Sequence, residues 1–396
     1  MKKASSSFFW FLRAIFRPVL YILYRFKFER NTSRGIKRPC LILSNHQTVI
    51  DQFAVGLGFD FGINYVASDT IFRHGLLSKI MIRLSHPIPY SKGSSDFAAI
   101  RNMMTVIKSG GCVGMFPSGN RSFFGDECRI VDGIGKLAKK FNVPLVLVQV
   151  RGGFNTLARW SVRPNRGKMR ARVVKIVQPA ELAEMTGDEI DKIIHKELSF
   201  NEFAHNRNAQ VIFRGKRKAE YLESVLFYCT ECNSMNSLCS EGNEFFCRDC
   251  GARVRINGAG FFEKTGKGWN IPGTILEWSH RQIDYIKSLD FSSYEDQPVF
   301  SDGNISFFRA ERARSEELLG TGTIEFYASA LKICGQEFPH TEITTAVHGV
   351  RKMSIYSKDG TFAVMAPHRI NLVKYMICSY HLRNKALGIK EEFYGY

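Results

Sequence analysis

The chain has 396 residues, 44% of them hydrophobic and 23% charged, and a formal net charge of +18. That composition excludes wholesale disorder and leaves room for two or three domains with cores of their own. The charge excess calls for an anionic partner, which narrows the field to nucleic acid, an anionic membrane or a phosphorylated substrate.

Residues 1–38 hold ten basic side chains against the single acid Glu29, half of the whole excess, interleaved with the apolar runs 8–12, 14–16 and 18–24. Arg13 and Arg17 interrupt the apolar stretch before it reaches the roughly 20 residues of a bilayer span. Pro18 predicts a break into two short amphipathic helices lying in a membrane interface, aromatics buried and arginines snorkelling to lipid phosphates. The expected partner is an anionic membrane surface, at the cytoplasmic face, held in a peripheral or monotopic manner. Ten cysteines, two C-x-x-C pairs among them and the rest scattered through mostly apolar runs, fit the reduced thiols of a cytosol.

From 39 onward the pattern alternates. Runs 40–44, 63–67, 111–116 and 143–150 read as strands, and 76–85, 96–109 and 133–141 carry helical spacing, which together predict an α/β sheet of βαβ type. Directly after the first strand comes Asn45-His46-Gln47-Thr48-Val49-Ile50-Asp51. An imidazole can take a proton from an alcohol, and a carboxylate can fix its tautomer. No serine or cysteine stands in a nucleophile elbow, so the alcohol belongs more naturally to a substrate. Five residues around a helix turn through about 500°, so His46 must sit on a turn before the helix that carries Asp51. A core histidine beside a helix-capping aspartate is the plainer alternative. Between Arg151 and Lys175 lies a run of eight basic residues with no acid, which reads as a solvated strand edge close to this site.

Farther on, Cys229-Thr230-Glu231-Cys232 is followed, after fourteen residues, by Cys247-Arg248-Asp249-Cys250. Two such knuckles can close a tetrahedron of Cys229, Cys232, Cys247 and Cys250 around a structural Zn²⁺, with no position left open for catalysis. The segment carries Arg248 against Glu231, Glu241, Glu244 and Asp249, a balance that repels phosphates, and no nucleic acid partner is expected. In the remainder, a helix over 273–289, a strand over 323–333, a hairpin of 352–356 and 361–365 through an Asp-Gly turn, and an amphipathic helix over 371–385 predict a β-rich α+β region. A small lipid-binding barrel of pleckstrin-like shape is one form it could take. The expected divisions are 1–38, membrane-anchoring helices; 39–222, an α/β domain with a mixed sheet flanked by helices; 223–262, the zinc ribbon; and 263–396, the β-rich region.

Four segments in this order resemble the glycerolipid acyltransferase family. Asn45, His46 and Asp51 match N-H-x4-D. Ile88-Pro89-Tyr90-Ser91-Lys92 resembles an I-P-x-D-R-like second block, Phe116-Pro117-Ser118-Gly119-Asn120-Arg121-Ser122 resembles F-P-E-G-T-R-S, and Val143-Pro144-Leu145-Val146-Leu147 resembles a V-P-x-x-P-like strand. The resemblance covers residues 40–180 and implies transfer of a fatty acyl group from a thioester, on coenzyme A or acyl carrier protein, to the hydroxyl of lysophosphatidic acid or a related lysophospholipid. It implies His46 as general base and Asp51 as its orienter, with Asn45, Lys92, Ser118, Gly119, Asn120 and Arg121 at the substrate. Lys92 stands where the family has arginine and keeps the charge but not the fork. Ser118 replaces the family glutamate. Two readings therefore stay open: an active O-acyltransferase, or a catalytically inactive lipid-binding or regulatory protein.

Overall fold

The computed structural model describes residues 4, 6–68, 85–90, 97–126, 129–266, 269–294, 296–310, 316–390 and 393–395. All of the expected helix over 76–85 except Ser85, together with Ser91, Lys92 and Cys128, lies outside the described residues. The chain divides into two compact units, Met1–Ala158 with Pro164–Arg214, and Arg159–Arg163 with Gly215–Tyr396.

The first unit is built on a mixed sheet of seven strands: β1 (Lys27–Phe28), β2 (Leu41–Ser44), β3 (Ile63–Ser68), β4 (Ile88–Tyr90), β5 (Cys112–Met115), β6 (Leu145–Arg151) and β7 (Arg170–Val177). Their spatial order is β1-β7-β6-β2-β5-β3-β4. Every neighbouring pair is parallel except β6 with β7. Parallel strands are covered on both faces and so read as continuous apolar runs. Leu41, Leu43, Leu145 and Leu147 point to one face, under α3 (Phe97–Lys108), α4 (Ile134–Phe141), α6 (Pro179–Glu184) and α7 (Gly187–Leu198). Cys40, Ile42, Val146 and Val148 point to the other, beneath α1 (Ser6–Tyr24) and α2 (Asp51–Gly56). Two further helices, α5 (Gly153–Thr156) and α8 (Glu202–Ala209), complete the unit.

The break expected at Pro18 does not occur: α1 is one helix with the proline inside it. Ala14, whose carbonyl loses its donor, and Pro18 both lie on the exposed side, where no packed neighbour leaves that carbonyl unsolvated. The inner side is pinned at helical spacing by Arg13, Phe16, Leu20 and Tyr24. Arg13 bonds the Phe59 carbonyl and pairs with Asp60 at 3.5 Å, and Phe16 stacks on Phe53 at 3.8 Å. Among the described residues α1 is the one helix long and apolar enough to cross a membrane by length and composition.

The second unit holds an antiparallel sheet of β8 (Leu238–Glu241), β9 (Glu244–Cys247), β10 (Arg253–Ile256) and β11 (Phe262–Lys264), followed by α9 (Ile275–Ser288). Next comes a seven-stranded antiparallel sheet of β12 (Phe300–Arg309), β13 (Glu317–Phe326), β14 (Ala330–Ile333), β15 (Gln336–Pro339), β16 (Thr344–His348), β17 (Lys352–Ser357) and β18 (Gly360–Met365). Its order is β15-β14-β13-β12-β18-β17-β16, and α10 (Leu372–Ala386) packs on both β14 and β16, so the sheet curls around the helix. The single strand expected over 323–333 is two. The small residues Ala328 and Ser329 allow a turn in which Tyr327 N donates to Ala330 O, and Phe326 then pairs with Leu331. The final helix is not amphipathic over its first half, since every residue from Leu372 to Tyr380 is buried.

Candidate active site

β2 ends at Ser44, and the chain leaves it through a turn that carries His46 before α2 begins at Asp51. Asn45 fixes the start of the turn. Its amide donates to Val150 O at 2.8 Å and its carbonyl accepts from Val150 N at 2.7 Å, so the end of β2 is tied to the end of β6. That leaves Asn45 buried, a strand-end brace where the resemblance implied a substrate contact.

Asp51 is 0% exposed and collects four donors. Its Oδ2 accepts from Gln47 N at 2.6 Å and Thr48 N at 2.8 Å and lies 2.8 Å from His46 Nδ1, while Oδ1 accepts from the Thr48 hydroxyl at 2.7 Å. A buried carboxylate is tolerable only when so paired, and its place at the N-terminus of α2 adds the favourable end of the helix dipole. With Nδ1–H donating to Asp51, the neutral ring keeps its basic lone pair on Nε2. The ring lies against Phe116, centroids 4.2 Å apart, and its side chain is 18% exposed. Proton transfer at Nε2 with Asp51 stabilising the resulting imidazolium is the chemistry this geometry allows.

The segment after β5 meets the same turn. Ser122 N donates to His46 O at 2.8 Å, which brings residues 116–122 alongside the histidine. Gly119 closes a tight turn by donating to Phe116 O at 2.9 Å; its φ of +62° favours glycine, and the space beyond it is open. The Ser118 hydroxyl donates to Asn120 O at 2.9 Å, so it is spent on the loop itself. Arg121 is half-buried, which pulls its guanidinium below the ordinary value, and Asp51 is near enough to pull it back up.

The sequence did not reveal the far side of the turn. Gln47 accepts from Gly153 N at 2.9 Å and donates to Glu202 at 3.3 Å. Glu202 is fully buried and also accepts from Gly152 N at 3.0 Å and Asn155 Nδ2 at 3.2 Å; burial pushes its carboxyl up to about 7. Gln47 lay inside the motif in plain view, whereas nothing in sequence joins Glu202 to a turn 155 residues away.

In the second unit the four cysteine sulfurs lie within 4.8 Å of one another, Cys229 and Cys250 at 3.7 Å and Cys232 and Cys247 at 3.7 Å. Four sulfurs each about 2.3 Å from a common centre would stand roughly 3.8 Å apart, so the cluster has the size to hold a tetrahedral ion.

Residues 24–151 match the family model described as Acyltransferase. The chain is 29% identical over 184 residues to 1-acyl-sn-glycerol-3-phosphate acyltransferase of Limnanthes alba, covering 44% of this chain and 62% of that protein. It is 22% identical over 150 residues to the protein of the same name in Bacillus subtilis (strain 168), covering 38% of this chain and 72% of the relative. Among solved structures, the 1-acyl-sn-glycerophosphate (LPA) acyltransferase of Thermotoga maritima is similar with a TM-score of 0.41 at 18% identity, over 48% of this chain and 78% of that one. The stretch that carries His46, Asp51 and the loop 116–122 is therefore the part of the chain that is similar to known acyltransferases, and the chain spans less than two thirds of the length of the Limnanthes alba relative.

Proposed function

We propose that the chain moves a fatty acyl group from a thioester, carried by coenzyme A or acyl carrier protein, to the free hydroxyl of lysophosphatidic acid or a related lysophospholipid. The observation that carries this is the 2.8 Å contact between His46 Nδ1 and a fully buried Asp51, beside the loop that holds Arg121. His46 Nε2 takes the hydroxyl proton as the oxygen attacks the thioester carbonyl. The tetrahedral intermediate then expels sulfur, the C–S bond breaks, and the imidazolium returns its proton to the leaving thiolate. The products are an ester and a free thiol. Arg121 and Lys92 grip the acceptor phosphate.

Helix α1 supports docking on an anionic membrane surface at its cytoplasmic face. Its outer side exposes Trp10 at 50%, Phe11 at 58% and Tyr21 at 69%, and Arg17, Arg25 and Lys27 stand exposed on and beside it. Apolar burial with basic residues at the rim is the pattern of an interfacial helix. The cysteine cluster suits a structural Zn²⁺, which would tie the two knuckles together. The curled sheet closed by α10 supports the reading of a pleckstrin-like barrel with a lipid-binding role.

A second reading, a catalytically inactive lipid binder, is favoured by Ser118, whose hydroxyl is turned to its own loop. Thioester turnover separates the two. With lysophosphatidic acid and either acyl donor, wild type is expected to release free thiol and His46→Ala to lose about 10²–10⁴-fold in rate. Wild type and variant together at background would overturn the enzyme reading, and retained lysolipid binding without thiol release would establish the binder.

A further inference from the structure

Register partners on an antiparallel pair share one face of the sheet. On β6 and β7 this sets Arg151 against Arg170 and Gln149 against Arg172, all on the face that Leu145 and Leu147 present to α7. Where α7 ends, Gln149 Nε2 donates to Glu197 O at 3.2 Å, and the sheet beyond is covered by arginine. His205 of α8 lies close enough to feel both Arg151 and Arg172.

The cluster is rich in positive charge and poor in partners. Arg172 Nε is buried with no hydrogen-bond partner. Arg151 spends its Nε on Gln149 Oε1 at 2.7 Å, and Arg170 spends Nη1 on the carbonyls of Arg25 and Met169. Among the described residues none of the three makes an ion pair; Glu29 acts on Arg151 and Arg170 only from a distance. Burial and mutual repulsion hold Arg151 below its ordinary value. A buried donor left unmade among like charges is costly, and an anion would relieve both defects.

Position narrows the anion. β6 runs parallel to β2 and β7 antiparallel to β6, so the end of β6 and the start of β7 lie at the same end of the sheet as His46. In open α/β sheets ligands bind at the carboxyl ends of the parallel strands. Strands stand about 4.8 Å apart, so β7 is roughly 10 Å from β2. An acceptor whose hydroxyl meets His46 has its phosphate a few bonds away, near Arg121, which leaves a site two strands off for the other substrate.

We propose that Arg151, Arg170, Arg172 and His205 form a second anion site, which takes a phosphate of the acyl donor, the one that coenzyme A and a carrier protein both bear on the pantetheine arm. The identity of the ligand rests on the acyl-transfer reading; the existence of the site does not. Calorimetry on the full chain tests the site with coenzyme A, inorganic pyrophosphate and glycerol 3-phosphate as probes. Coenzyme A and pyrophosphate are expected to bind. Arg172→Gln should weaken both by about tenfold or more, with Arg172→Lys restoring part of the loss and the melting temperature of both variants near that of wild type. In turnover, Arg172→Gln should raise KM for the donor about tenfold while kcat and KM for the lysophospholipid hold. Acyl-coenzyme A and an acylated carrier protein, tried separately, show which of them brings the phosphate. Binding of coenzyme A without any turnover would keep the site and remove the acyl-transfer reading. Failure of wild type to bind either phosphate probe would overturn the site, and a KM effect confined to the lysophospholipid would overturn its assignment to the donor.

Discussion

The two compact units use buried charge differently. In the first, Asp51 and Glu202 hold opposite sides of one turn and share Gln47, whose backbone N–H goes to Asp51 and whose side-chain amide goes to Glu202. One member of that network, His46, reaches partly exposed ground. In the second unit the circuits close on themselves. Glu223 accepts from Arg369 at 2.6 Å and from the Ser240 hydroxyl, so β8 is bound to the segment before α10. Lys374, 1% exposed, meets Asp302 at 2.6 Å and Asn236 between the cysteine pairs, and Tyr375 OH donates to the same Asp302 at 2.8 Å. A buried polar network that ends in an imidazole suits proton transfer, and networks made of fixed ion pairs suit assembly.

The sharpest break of that comparison is removal of the proposed structural zinc, which would untie the two cysteine knuckles. The sheet β8–β11 buries Phe245 and Phe262 against Trp278, centroids 5.2 and 5.6 Å away, with Leu238, Val254 and Ile256 as its other buried apolar side chains. Purified protein is expected to carry about one zinc per chain, and a strong chelator to unfold the ribbon, since structural zinc is worth about 10–16 kcal/mol of folding in isolated fingers. Trp278 fluorescence and proteolysis within 229–256 report it. Substoichiometric metal with an unchanged ribbon would place the four thiols among simple reduced cysteines.

Asp51→Asn tests the first unit. The amide brings a donor where Gln47 N–H, Thr48 N–H and the Thr48 hydroxyl already donate, and it favours the wrong histidine tautomer. A fall in kcat of about 10²–10⁴ is expected with the lysophospholipid KM nearly unchanged. Thiol release above a tenth of wild type would remove Asp51 as orienter.

These two sites were legible in sequence because their partners are local. His46 and Asp51 share one turn, and each cysteine pair spans a single knuckle. The basic run 151–175 was legible only as charge. Which of its arginines face each other depends on strand pairing and on the register shift between Leu147 and Val148. Glu202 and the Lys374–Asp302 pair are long-range contacts with no local signature at all. Pro18 misled for another reason, since the rule against proline in helices assumes a carbonyl that must be satisfied inside the fold, and here it faces outward.

Lys374→Ala should leave Asp302 half-answered and lower the stability of the second unit by about 3 kcal/mol, the low end for a broken buried pair because Asp302 is 22% exposed on its side chain. Denaturant unfolding checks it, and Lys374→Met with Asp302→Leu should recover most of the loss. A single variant as stable as wild type would show that the ion pair holds nothing together.

The smallest effect is expected at Glu202, and it carries a sign. The folded carboxyl titrates at about 7, above an ordinary glutamate, because burial outweighs the three bonds it accepts. Below about pH 4.3 it is protonated in folded and unfolded chain alike. Between there and pH 7 the folded state holds the extra proton, so its contribution to stability falls as pH rises, by up to about 3 kcal/mol, and levels off above 7. Glu202→Gln cannot ionise. It keeps an acceptor for Gly152 N and Gln47 and loses the good bond from Asn155, a cost of about 1 kcal/mol. The variant should therefore be slightly less stable than wild type at pH 4, level with it near pH 5 and more stable at pH 8, a crossing that difference melting curves resolve. Because Gln47 would still be held, kcat should fall by less than about tenfold. A variant whose melting temperature stays below wild type by the same margin at pH 4 and pH 8 would mean that Glu202 is ionised throughout, and that the turn behind His46 is held by a charge rather than by a shared proton.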